Sequence, residues 1–141
     1  MDTDQTISKA ERTRNMIIEK SAVLFNQKGY SGTSMKDIME ATGLSKGGLY
    51  GNFSSKEEVA VAAFEKAVET VDDQVRIRTK VVENTLDKLK AVVYFYKERI
   101  LDPPVEGGCP IQNTSVEADD SNPALRKRVI AVMDDWRERI V

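Results

Sequence analysis

A chain of 141 residues, 40% hydrophobic and 31% charged, with a net charge of −2 and a pI near 5.3, has the balance of a water-soluble protein of one or two small domains. Its single cysteine, Cys109, excludes an intrachain disulfide and fits a reducing cytoplasm, and the absence of histidine removes the commonest general base and metal ligand. The N-terminus is polar and acidic, unlike a secretion signal, and no apolar run approaches the ~18–20 residues of a membrane span. The expectation is a cytoplasmic protein that is not an enzyme and uses no cofactor or metal.

In chain order, residues 1–8 are polar and expected as a frayed arm. Lys9 to Lys28 reads as a helix with Ile17, Ile18, Ala22, Leu24 and Phe25 on one side, closed by Gly29 and anchored by Tyr30. After the short Ser31-Gly32-Thr33 link, Ser34 and Asp37 form a capping-box pattern, and Met35, Ile38, Met39 and Thr42 give an apolar stripe at helical spacing. Gly43 suits a left-handed helix end, Leu44 returns to the core, and Ser45 is placed to cap a second short helix carrying Leu49, Tyr50 and Phe53. Leu49 and Phe53 read as core. Two short helices joined by a glycine turn form a helix-turn-helix pattern, although spacing alone fits a plain αα-corner equally well.

The surroundings favour the first reading. Residues 9–56 hold eight Lys/Arg against four acids, whereas residues 57–141 hold thirteen against seventeen, so a basic first third precedes an acidic remainder. Ser54 with Glu57, or Ser55 with Glu58, is a further capping box that opens a long helix to about Lys80, with Val59, Ala63, Phe64, Ala67 and Val71 inside. A helix from about Val82 to Leu101 shows Leu86, Leu89, Val93, Tyr96 and Ile100 as a packed stripe. Asp102-Pro103-Pro104 stops it, a short helix is expected near Ile111 to Ala118, and Asn122-Pro123 starts a last one with Leu125, Val129, Val132, Trp136 and Ile140 buried. No strand pattern is visible, so the fold class is all-α. The last stripe runs to Val141 without a cap, which suggests a truncated body.

The tract from Arg14 through Leu24-Phe25, Gly29-Tyr30, Thr33 to Ile38, Gly43-Leu44-Ser45-Lys46-Gly47, Leu49-Tyr50 and Phe53 to Ser55-Lys56-Glu57-Glu58 resembles the tetracycline-repressor (TetR/AcrR) family of transcriptional regulators. The resemblance implies a helix-turn-helix (homeodomain-like) DNA-binding domain over residues 9–54. It also implies a helical effector-binding and dimerisation domain over residues 55–141, incomplete here. The implied partners are a pseudo-palindromic double-stranded operator, a small-molecule effector and a second subunit in the full-length parent.

By the same resemblance, Ser45, Lys46, Gly47 and Gly48 open the reading helix. Lys46 has the only long side chain there, suited to guanine O6/N7 or a phosphate. Gly47, Gly48 and Gly51 bring no hydrogen-bonding side chain and favour close backbone approach, with more weight on DNA shape. Tyr50, Asn52 and Lys56 are expected to clamp phosphates, while Thr33, Ser34 and Lys36 grip the other side of the groove. In the body, Tyr94, Phe95, Tyr96, Met133 and Trp136 lie on helices that enclose the effector site in such regulators, although aromatics at this spacing are more often plain core. Cys109, in Gly107-Gly108-Cys109-Pro110, is a candidate redox or electrophile sensor if it lies at a helix N-terminus. The expected function is effector-gated repression. The alternative is a protein-interaction module that retains an unused helix-turn-helix.

Overall fold

The computed structural model describes residues 7–140, the side chains of residues 119–121 excepted, and it is all-helical over that span. The helices are α1 (Lys9–Lys28), α2 (Met35–Thr42), α3 (Lys46–Tyr50), α4 (Lys56–Lys80), α5 (Thr85–Glu98), α6 (Pro110–Ser121) and α7 (Pro123–Ile140). The expected arm at residues 1–8 falls mostly outside the described residues, but Ser8 is placed and caps α1.

Side chains set most helix starts. Ser8 Oγ accepts from the Glu11 amide at 3.2 Å while the Glu11 carboxylate accepts from the Ser8 amide at 2.8 Å. Ser34 and Asp37 repeat this reciprocal pair at 3.1 and 2.7 Å at the start of α2. These bonds from the Ser34 side chain and backbone hold the Asp37 carboxyl below its ordinary range. Ser55 caps α4 through the Glu58 amide, and Glu58 in turn accepts from the amide and hydroxyl of Ser54, so neighbouring serines share the capping work. Asn122, buried, accepts from the amides of Ala124 and Leu125 at 3.1 Å and starts α7.

Three apolar clusters hold the helices together. Ile17, Ile38, Leu49, Phe53 and Val59 form the core of the α1–α3 head against the start of α4, with Met35, Met39 and Leu44 packed around it. Ala60, Phe64, Val68, Ile111, Ala118, Leu125 and Val129 form the core between α4, α6 and α7. Ala22, Ala63, Ala67 and Val105 make a smaller third group, and Phe25 packs against all three. Burying each such Ile, Leu, Val or Phe side chain contributes roughly 1.5–3 kcal/mol, so these residues carry most of the favourable term.

Two expected faces differ. Leu86, Leu89, Val93 and Ile100 do not form a packed stripe: they are exposed, Ile100 by 77%, and Phe95 is the buried residue of α5. The helix is turned so that Phe95 meets α4, with the guanidinium groups of Arg78 and Arg99 over its ring at 5.4 and 5.8 Å. On α7, Leu125 and Val129 are buried and Val132 and Trp136 are half-buried, but Ile140 is exposed. Among the described residues no helix is long and apolar enough to cross a membrane.

Candidate nucleic-acid interface

The helix-turn-helix is built from the caps inward. Gly43 ends α2 with φ 70° and ψ 11°, the left-handed conformation expected of it. Ser45 Oγ then accepts from the Gly48 amide at 3.1 Å and sets the direction of α3. Leu49 and Phe53 point inward, which turns the opposite face of α3 to solvent. On that face Ser45, Lys46 and Gly47 are exposed, Gly48 is half-buried, and Tyr50 is 43% exposed. A Cβ built at Gly47 would meet nothing within 4 Å. α3 is shorter than expected and closes at Tyr50, and Asn52 Nδ2 donates to the Gly48 carbonyl at 2.9 Å beyond its end.

Arg14 on α1 fixes the far end of α3. Its guanidinium donates to the Asn52 carbonyl at 2.6 Å, lies 4.0 Å over the Phe53 ring and is 3.8 Å from the Glu58 carboxylate. Lys36 projects from α2 into solvent, with Glu40 at 3.8 Å. Exposed ion pairs of that kind hold a side chain weakly, so Lys36 remains available to an anionic partner.

Three expected contacts are placed differently from one another. Thr33 is a correction: at 1% exposure its hydroxyl faces inward and donates to the Gly29 carbonyl at 2.8 Å, so its side chain offers nothing to DNA. Ser34 is exposed, but its hydroxyl already donates to Asp37 and accepts from the Asp37 amide. Lys56 is half-buried; Nζ donates to the Tyr30 carbonyl at 2.9 Å and sits 4.0 Å over the Tyr30 ring, so it braces the α1–α2 turn.

In the body, Tyr96 and Trp136 meet edge to face at 6.3 Å, and Trp136 Nε1 donates to Asp72 at 2.9 Å. Burial pushes the Tyr96 hydroxyl up to about 12, with the neighbouring Cys109 and Asp72 adding to the shift. Cys109 is the half-buried N-cap residue of α6 and packs against the body core. Tyr94 and Met133 stand apart: they are exposed by 57% and 55%, whereas Tyr96 and Trp136 are half-buried. A cavity of about 30 Å³, room for a water molecule, lies between α1, α4, α6 and α7 beside Phe25, Asn113 and Glu117.

Sequence reasoning missed a polar seam between α6, the loop before it and the end of α1. Asn26 Nδ2 donates to the carbonyls of Glu106 and Gly108 at 2.9 and 3.0 Å, and Asn113 Nδ2 donates to Asn26 Oδ1 at 2.9 Å. Glu117 accepts from the amides of Tyr30 and Ser31 at 2.6 and 2.7 Å. Burial opposes ionisation of Glu117, but the bonds from Ser31 and Tyr30 outweigh it and hold the carboxyl below its ordinary range. Asparagines and an acid spaced this far apart carry no local pattern that marks them as partners.

A three-helix head with a glycine turn, an outward-facing short helix and an all-helical body defines the class of helix-turn-helix regulators. The chain belongs to the TetR family: residues 17–63 match the bacterial regulatory proteins of that family and residues 85–141 match the tetracyclin repressor-like C-terminal domain. It is similar to the crystal structure of a TetR transcriptional regulator from Chloroflexus aurantiacus, with 46% identity and a TM-score of 0.89 over 93% of this chain and 66% of that one. A TetR-family regulator from Cytophaga hutchinsonii is similar at 39% identity and a TM-score of 0.84, over 94% of this chain and 66% of that one. The probable HTH-type transcriptional regulator ArpR of Pseudomonas putida is 30% identical over 92% of this chain and 63% of its own length. The chain thus spans about two thirds of the length of these relatives.

Proposed function

We propose that this chain carries the DNA-reading head and part of the effector-binding and dimerisation body of a cytoplasmic transcriptional repressor. Residues 9–54 form the head and residues 55–141 the body. The observation that carries the reading is the solvent-facing side of α3, where Lys46, Gly47 and Tyr50 are exposed while Leu49 and Phe53 lock the helix from behind. A short helix held this way enters a major groove end-on. Lys46 supplies the charged contact, Tyr50 a hydroxyl to phosphate, and the bare Gly47 allows backbone approach. Two such heads in a dimer grip a pseudo-palindrome, and a small molecule in the body favours the head separation that no longer fits.

Lys46→Ala tests the assignment. The variant should bind duplex DNA more weakly on every sequence, with the slope of log affinity against log salt shallower by about 1. An unchanged slope removes Lys46 from the interface.

A further inference from the structure

We propose that Glu117, on the body helix α6, is a positioning residue for DNA binding: its carboxylate seats the turn that leads into the reading head and passes the state of the body to it. This inference rests on the DNA-reading function proposed above. Glu117 receives the consecutive amides of Tyr30 and Ser31 at 2.6 and 2.7 Å, two charge-assisted bonds from a helix remote in sequence to the link between α1 and α2. Successive amides converging on one anion form a backbone nest.

The turn is shaped for that carboxylate. Gly29 has φ 76° and ψ 172°, a region essentially closed to other residues, and this rotation aims the following two N–H groups at α6. A Cβ at Gly29 would lie 2.6 Å from Glu117 Oε2, and one at Gly32 would run into the Lys28 carbonyl. The Tyr30 residue is held on its other side as well, because Lys56 at the start of α4 donates to its carbonyl at 2.9 Å. Thr33, buried and bonded back to the Gly29 carbonyl at 2.8 Å, transmits the position of this turn to Ser34, the cap of α2. Asn26 and Asn113 tie α6 to the same end of α1. A displacement of α6 therefore either drags the start of α2 with it or breaks two charged hydrogen bonds.

Hydrogen exchange on the whole chain tests this, with and without a duplex selected by the wild-type protein from a random-sequence pool. In Glu117→Gln, exchange of the Tyr30 and Ser31 amides should quicken at least about tenfold, while the core amides of Ile17 and Val59 stay protected and show that the variant is folded. Binding is reciprocal, so saturating duplex should slow exchange in α2, α3 and α6 of the wild type, but only in α2 and α3 of Glu117→Gln. A merely structural tie would not abolish the slowing in α6. Unchanged Tyr30 and Ser31 exchange, or slowing in α6 that survives the substitution, overturns the role of Glu117 alone. A wild-type protein that selects no duplex overturns the DNA-reading function and this role together. If the core amides lose protection in Glu117→Gln, the shorter acid of Glu117→Asp replaces it, with the same pattern expected in weaker form and the same overturning results.

Discussion

Phe53→Ala should unfold the reading head. Phe53 is 1% exposed at the centre of the cluster formed with Ile17, Ile38, Leu49 and Val59, and the Arg14 guanidinium covers its ring at 4.0 Å. Truncating a buried phenylalanine costs about 3–5 kcal/mol, because the transfer energy is lost and the surrounding helices close the cavity only in part. A small domain is stable by only about 5–15 kcal/mol, so this one change removes a large share of it. Urea denaturation followed by circular dichroism should show a midpoint shifted far down or an early transition for the head. Tyr94→Ala, at a solvent-facing aromatic, should stay within about 0.5 kcal/mol of wild type and serves as the control. DNA binding should be lost in Phe53→Ala and kept in Tyr94→Ala. Equal effects from the two would mean that the head core is misassigned.

Gly29→Ala should be the more damaging of two positive-φ substitutions. At Gly43, with φ 70° and ψ 11° and nothing within 4 Å of an added Cβ, alanine meets only the left-handed penalty of about 1–2 kcal/mol. At Gly29 the backbone region itself costs roughly 1–3 kcal/mol, and the Cβ also presses on the Glu117 carboxylate. Urea midpoints should therefore order as wild type, Gly43→Ala, Gly29→Ala. In a Glu117→Ala background the gap between the two glycine variants should narrow, since the clash has gone. A gap that stays constant would mean the turn does not press on Glu117.

The head was largely legible in the sequence because its signals are local. Ser34 with Asp37, Gly43, and Ser45 are caps readable within a few residues, and the apolar positions of α2 and α3 follow the helical period. The body was less legible for a physical reason. Periodicity reports that a face is apolar, not which neighbour meets it, so Leu86, Leu89 and Val93 looked like the packed side of α5 when Phe95, flanked by Arg78 and Arg99, is the residue inside. Thr33 was read as a surface contact from its place at a helix start, whereas the glycines on either side of Tyr30 fold the turn so that its hydroxyl points inward. The Glu117 and Asn26–Asn113 contacts join residues nearly ninety positions apart, and an isolated acid or amide gives no sign of such a partner.

The most direct measurement is the affinity of the wild-type chain for duplex DNA as salt is raised. With the exposed Lys36 and Lys46 as its charged contacts, the proposed interface predicts a slope of log affinity against log salt of roughly −2 per head, and Lys46→Ala should make it shallower by about 1. A slope near zero in the wild type would mean that the outward face of α3 does not meet DNA.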